Sequence, residues 1–114
     1  MGLPFAVHRG GVDALVWVDR GRHDVNGQPV VGDTLQYTVT VEVFGGVWRF
    51  GPALIACREG GTRINTRVDV GPAATADIRT GERRYWKISC GHAAGAPPLT
   101  VAVYFADGDL LAAW

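Results

Sequence analysis

Residues 32–43 read GDTLQYTVTVEV, and this stretch decides the fold. From Thr34 to Val43, polar and apolar side chains alternate without interruption. A period of two residues places the apolar members on one face of an extended strand. Thr, Val and Tyr are also the residue types that suit a pleated, half-buried surface. The stretch therefore predicts a β-strand that is buried on one face.

The same alternation recurs in residues 63–70, 83–90 and 99–106, and Asn26-Gly27 and Asp107-Gly108 are two-residue hairpin signals. No stretch has the period of a helix of ordinary length. Short strands separated by frequent turns are typical of sandwiches. The sequence therefore predicts an all-β fold, an immunoglobulin- or fibronectin III-like antiparallel β-sandwich of roughly seven to nine strands. The chain of 114 residues is expected to form a single domain, residues 1–114.

The N-terminal residues 1–13 have a weaker pattern. Leu3, Phe5 and Val7 alternate, but Gly10-Gly11 interrupts them, so this segment is either an arm or a strand. No basic region followed by an apolar run is visible, so no signal peptide is expected. The protein is therefore either cytoplasmic or secreted by another route, unless a leader has been removed.

Charge narrows the range of partners. Eleven basic residues balance eleven acidic ones, which removes the main electrostatic reason to expect nucleic acid. No apolar run is long enough for a spanning helix, so no membrane span is expected.

Two cysteines, Cys57 and Cys90, leave two alternatives open. A disulfide between them would stabilise the fold by about 3–4 kcal/mol in the chain-entropy model. Alternatively, both are reduced and buried as small apolar side chains. In a sandwich of this kind we expect them on neighbouring strands of one sheet.

Few residues have the chemistry of a catalyst. Ser89 is the only serine and lies within a predicted strand, and Cys90 is two residues from His92 with no third orienting group evident. The histidines lack metal-binding spacing. We therefore expect a protein that is not an enzyme and needs no metal or cofactor.

Aromatic residues offer a different chemistry, because an indole face can stack against a sugar ring. The candidate carbohydrate-binding residues are Trp114, Trp17, Arg22, His23 and Asp24. The alternative is that the rings are packed and that residues 19–24 form a solvated loop. Trp86 alternates with Ile88 and is predicted to lie in the core.

Three segments resemble the fungal immunomodulatory proteins: LTVAVYFADGDLLAAW (99–114), LQYTVTVEVFGGV (35–47) and ALVWVDRGRHDVNG (14–27). The resemblance implies a small leaderless lectin with a fibronectin-type sandwich and a dimer formed through an N-terminal helix. Of the family's sugar-contacting aromatic residues, it carries over only the terminal one, onto Trp114. Gly10-Gly11 interrupts the segment that corresponds to the helix.

Two functions follow as hypotheses. The first is a non-enzymatic, lectin-like recognition domain for carbohydrate or a cell-surface glycoprotein. The second is a structural or adhesion module, such as a virion decoration or surface-array protein, with a protein partner. A homodimer is expected in either case, because VDALVWV (12–18) is more apolar than a solvated arm requires.

Overall fold

The structure, a computed structural model, describes residues 2–25, 34–91 and 95–114. These ranges contain one 3₁₀ turn, Pro52–Leu54, and eleven strands. The strands are β1 (Phe5–Arg9), β2 (Val12–Arg20), β3 (Thr34–Gly45), β4 (Val47–Phe50), β5 (Ile55–Glu59), β6 (Thr62–Ile64), β7 (Thr66–Val70), β8 (Ala76–Arg79), β9 (Arg83–Gly91), β10 (Leu99–Tyr104) and β11 (Leu110–Ala113). No helix in these ranges has the length and apolarity needed to cross a membrane.

Two antiparallel sheets form the sandwich. The first has five strands in the order β1-β2-β3-β9-β7, and the second has four in the order β11-β10-β5-β6. A separate two-stranded ribbon pairs β4 with β8. The predicted all-β, immunoglobulin-like antiparallel sandwich is confirmed. The described ranges hold more strands than we predicted, because the short ribbon strands and a division within residues 63–70 add to the count.

The core lies between the sheets and follows the alternation of β3. Tyr37, Val39, Val41 and Val43 all point inward and are at most 3% exposed. Inward residues of the other strands complete the core: Val12, Ala14, Val16, Val18, Ile55, Cys57, Ile88, Cys90, Val101 and Val103. The apolar face predicted from the sequence is therefore the buried face. Its burial is the main source of stability in a fold of this kind.

Trp86 is in the core, as predicted, with 1% of its surface exposed. Its indole Nε1–H donates to the carbonyl oxygen of Pro72 at 2.8 Å. Gly71 makes this approach possible, because a Cβ at that position would lie 2.7 Å from Cδ1 of Trp86. Gly71 also has a φ of +122°, a conformation that residues with side chains rarely adopt.

A disulfide joins Cys57 of β5 to Cys90 of β9, with 5.9 Å between the Cα atoms. β5 belongs to the four-stranded sheet and β9 to the five-stranded sheet. The expectation of neighbouring strands within one sheet is therefore wrong. Alternation fixed both cysteines on inward faces, but it carries no information on which sheet each strand joins.

The N-terminal segment is a strand rather than an arm. β1 and β2 form an antiparallel hairpin, in which Arg9 pairs with Val12 across Gly10-Gly11. Both glycines have positive φ, 58° and 77°, as a tight two-residue hairpin turn requires. The Gly-Gly pair therefore connects two strands. The structure has no helix at the position where the family resemblance implied one.

The segment from Arg63 to Val70, predicted as one alternating strand, is divided at Asn65. Its first part, β6, pairs with β5 of the four-stranded sheet. Its second part, β7, pairs with β9 of the five-stranded sheet. The chain thus passes from one sheet to the other in mid-segment. The Thr66 hydroxyl accepts a hydrogen bond from the backbone N–H of Cys57 at 2.8 Å where the chain crosses.

β1 and β11 are edge strands of the two sheets, and side-chain contacts join the segments at both ends of these strands. The Arg9 guanidinium contacts the carboxylates of Asp107 and Asp109, which lie in the connection between β10 and β11. At the other end, the Trp114 indole N–H donates to the carbonyl oxygen of Leu3 at 2.8 Å. A turn is present at the predicted Asp107-Gly108, and Gly108 has a φ of 89°. It has three residues, 106–108, and not two, because the backbone N–H of Phe105 donates to the carbonyl oxygen of Asp109.

Candidate functional site

The outer face of the five-stranded sheet carries the polar half of the alternating pattern. Its strands bring Trp17 of β2, Thr40 of β3 and Tyr85 of β9 into one transverse row. We call these three residues the outer row. Tyr85 is 50% exposed, and Trp17 is partly exposed. The Arg83 guanidinium lies 5.5 Å from the centre of the Trp17 ring, within the range of a cation–π contact.

Residues 21–25, which we call the strap, pass from β2 over the same face. The strap is held by Gln36, a residue on the outer side of β3 that is only 7% exposed. The His23 backbone N–H donates to Oε1 of Gln36 at 2.8 Å, and Nε2 of Gln36 donates to the His23 carbonyl at 2.7 Å. This reciprocal pair gives a hydrogen-bond partner to both the oxygen and the nitrogen of the Gln36 amide, so a buried glutamine is tolerated there.

The His23 side chain points under the strap to Asp69 of β7. Nε2 of His23 lies 2.7 Å from Oδ2 of Asp69, and the two side chains are 6% and 1% exposed. The register of β7 against β9 shifts between Val68 and Val70, which makes Asp69 the bulged residue. Asp69 follows Arg67 by two residues and shares its outward face, which places its carboxylate on the sheet surface beneath the strap. The bulge re-aims the next residue, Val70, which pairs with the outward Lys87 and is 40% exposed.

Two further donors complete this Asp69 network. The Ser89 hydroxyl of β9 donates to Oδ2, and Nε of Arg67 donates to Oδ1 at 2.7 Å. Burial raises the pKa of Asp69, but the hydrogen bonds from Ser89, His23 and Arg67 outweigh it. The pKa of this carboxyl therefore lies below its usual value. Because the ionised carboxylate can only accept, the proton of the His23–Asp69 bond is on Nε2.

The network differs from a catalytic triad. In a triad the histidine accepts the serine proton, and the aspartate orients the histidine. Here Ser89 and His23 both donate to the same carboxylate, and the Ser89 hydroxyl does not donate to the histidine. Cys90 has no thiol because it is bonded to Cys57. Its suggested partner His92 lies outside the described residues.

A cleft of about 210 Å³ opens beside the network, at the end of the sheet where Thr34 pairs with Gly91. Its lining is polar apart from one glycine and consists of Thr34, Asn65, Arg67, Ser89 and Gly91. Among the residues that the structure describes, no three His, Cys, Asp or Glu side chains cluster to form a metal site.

The structure does not bring all the predicted carbohydrate-binding residues together. Trp17 lies in the outer row, whereas Trp114 lies at the edge of the four-stranded sheet. Arg22 and Asp24 are exposed on the strap, and the His23 side chain is buried against Asp69. Each of these residues as a sugar contact stays a prediction. Trp114 and His23 have intramolecular partners for their ring nitrogens.

Sequence reasoning missed Asp69, Gln36 and Arg67. All three lie on the polar side of alternating strands, and so does Ser89, which is opposite Gln36 in the register. Alternation does not distinguish a polar face that is covered by a loop from one that is solvated.

The fold and this site define the chain as an immunoglobulin-like β-sandwich with a polar cleft on one outer face. No family model matches the chain, and no curated relative does either. Among solved structures it is similar to MPT63, a secreted protein from Mycobacterium tuberculosis. The sequence identity is 24% and the TM-score 0.61, and the match covers 100% of this chain and 91% of that chain. At this identity the likeness establishes the fold alone.

Proposed function

We propose that this chain is a non-enzymatic adhesion or surface module that binds a protein partner through the outer face of its five-stranded sheet. The observation that carries this proposal is the outer row. Tyr85 is 50% exposed and Trp17 is partly exposed on a regular sheet surface, and the Arg83 guanidinium lies over the Trp17 ring.

The residue types support an interface. Trp, Tyr and Arg are the side chains that most often dominate the binding energy of protein interfaces. Trp and Tyr bury a large area at a small cost in side-chain entropy. Their neighbours Glu42 and Arg83 form an ion pair of 3.0 Å at the margin, which suits a polar rim.

The disulfide and the structural neighbour both favour a place outside the cytoplasm. Disulfides persist in oxidising compartments and are rare in the cytosol. MPT63 is a secreted protein of the same fold. The absence of a free nucleophile at Ser89 and Cys90 supports a binding role over catalysis.

Site-specific cross-linking tests the proposal. A photoreactive amino acid at position 85 should capture a defined protein when the chain is applied to the surface of intact producing cells. The matched control carries the same group at Leu110, which is 49% exposed and belongs to the four-stranded sheet. Equal capture at both positions, or none at position 85, would contradict the proposal. A cross-link to a second copy would identify the partner as this chain itself, which is the homodimer expected from the sequence.

Carbohydrate is a second candidate for the same face, favoured by the alignment of Trp17 and Tyr85 in one row. The two side chains are separated by about two strand spacings, or ~10 Å, which suits stacking against an extended glycan. A glycan array with wild type and Trp17→Ala tests this. Binding that the substitution abolishes supports it, and absence of any glycan signal excludes it.

A further inference from the structure

The cleft beside the Asp69 network has no role in the proposed interface, and its chemistry points to a ligand of its own. We infer that it is a binding site for a small carboxylate-bearing ligand, with the Arg67 guanidinium as the recognising group. This inference is independent of the outer row, because it rests on different residues at another end of the sheet.

Arg67 is oriented before any ligand arrives. Its Nε donates to Asp69, whose side chain is 1% exposed and is itself fixed by His23 and Ser89. Orienting an arginine through one edge lowers the entropy lost when the other edge binds. Among residues 2–25, 34–91 and 95–114, no group forms a hydrogen bond with either Nη of Arg67. A guanidinium edge of this kind matches the two oxygens of a carboxylate.

The buried carboxylate does not compete with such a ligand. Oδ1 of Asp69 accepts from Arg67, and Oδ2 accepts from both His23 and Ser89, so both of its oxygens are engaged within the protein and its side chain is 1% exposed. The other polar groups that line the cleft can all donate: the Nη groups of Arg67, which are donors only, and the side-chain amide of Asn65 and the hydroxyl of Thr34, which can donate or accept. A set of donors around one cation favours an oxyanion over a cation or a neutral apolar group.

Ser89 adds a preference for a hydroxylated ligand. Because its proton goes to Asp69, its oxygen is left as an acceptor on the wall of the cleft. A hydroxyl next to the carboxylate of the ligand can donate to this oxygen. Acidic sugars and small hydroxy acids have both groups, and a cleft of about 210 Å³ is large enough for one such unit.

Titration of the ¹⁵N-labelled full chain with sodium acetate, sodium D-glucuronate and D-glucose, at constant ionic strength, tests the inference. Both carboxylates should give saturable shifts of the amides of Asn65, Arg67, Ser89 and Gly91, and glucose should not. An affinity for glucuronate about tenfold above that for acetate would point to an acidic sugar as the source. Equal affinities would point to the carboxylate alone. Failure of both carboxylates to saturate, or equal binding of glucose, would overturn the inference.

Variants place the effect on Arg67. Arg67→Gln should weaken glucuronate binding about tenfold or more, and Arg67→Lys, which keeps the charge and loses the two-pronged geometry, by a smaller factor. Arg49→Gln is the matched control, because Arg49 is 67% exposed and pairs with Asp77 on the ribbon. If Arg67→Gln fails to fold, Asn65→Ala decides, since its side chain is exposed and should lower affinity only through the cleft. Unchanged binding in Arg67→Lys and Asn65→Ala would contradict the inference. None of these outcomes bears on cross-linking at position 85.

Discussion

At the scale of single residues, the core tryptophans show that burial and hydrogen bonding are separate questions. Trp48 and Trp86 are 2% and 1% exposed. Trp86 donates its indole N–H to Pro72, whereas Nε1 of Trp48 has no partner among the residues that the structure describes. Trp48 is surrounded by aromatic rings, with Phe50 at 4.9 Å and Phe105 at 6.2 Å between centroids. Packing therefore holds Trp48 in place at the cost of an unsatisfied donor.

This difference predicts unequal effects of one substitution. Trp86→Phe and Trp48→Phe remove the same atoms from the core, but only the first leaves a carbonyl without its donor. We expect Trp86→Phe to lower the free energy of unfolding by about 1 kcal/mol more than Trp48→Phe. Urea denaturation of the two variants measures the difference. A larger loss in Trp48→Phe would show that ring packing, and not the Pro72 hydrogen bond, dominates.

At the scale of elements, the polar face of β7 and the strap depend on each other. Asp69 points outward beside Arg67, and the strap supplies the histidine that covers it. Gln36 then fixes the strap through two backbone hydrogen bonds. The result is a polar layer outside the sheet in which the buried polar groups are hydrogen-bonded, as they are in a protein interior.

The lowered pKa of Asp69 predicts how stability depends on pH. In the unfolded chain this carboxyl has its ordinary pKa of about 3.8, and in the folded chain the pKa is lower. The folded state therefore binds fewer protons in this window. Its advantage is complete above the unfolded pKa and is lost as the pH falls through the folded one. We expect Asp69→Asn to cost about 2 kcal/mol at pH 7 and progressively less below about pH 4.

Chemical denaturation of wild type and Asp69→Asn between pH 7 and pH 3 tests this expectation. Asp77→Asn is the control, because Asp77 makes one 3.4 Å ion pair with exposed Arg49 and such pairs contribute little. The Asp77→Asn cost should stay small throughout. A cost of Asp69→Asn that is constant over the whole pH range would contradict the expectation. It would mean that the substitution destabilises the fold through altered hydrogen-bond geometry and not through loss of the carboxylate charge.

The strands show which features of the fold could be predicted from the sequence and which could not. Alternation gave the inward faces of β3, β9 and β10 correctly, because a period of two is a local property of the backbone. It did not reveal that Asn65 marks a change of sheet, since both halves of residues 63–70 alternate in the same way. The Asp69 network escaped for a different reason. Alternation places Asp69 and Arg67 on a polar face, and the residue that covers that face, His23, lies 46 positions from Asp69 in the sequence.

At the scale of the whole molecule, one covalent bond joins the two sheets. Cys57 and Cys90 are both fully buried, and the bond closes a loop with a sequence separation of 33. The bond restricts the conformations of the unfolded chain, because it keeps residues 57 and 90 together when the sheets are lost. In the chain-entropy model a loop of this size contributes about 3–4 kcal/mol.

Reduction should therefore destabilise the fold as a whole. We expect the reduced protein to lose about 3 kcal/mol of unfolding free energy relative to the oxidised protein. The double variant Cys57→Ala/Cys90→Ala should lose somewhat more, because it also removes two buried sulfur atoms. Guanidinium denaturation with and without reductant measures both. Equal stability of the oxidised and reduced forms would mean that the sheets hold together without the bond.

The contact between Trp114 and Leu3 has a consequence for anything fused to this chain. The indole of residue 114 rests on the backbone of residue 3, so polypeptide added at either side would emerge from one corner of the sandwich. A tether or a neighbouring domain would then be attached at that corner. We expect the outer face of the five-stranded sheet, which bears Tyr85, to stay accessible to a binding partner in such a fusion.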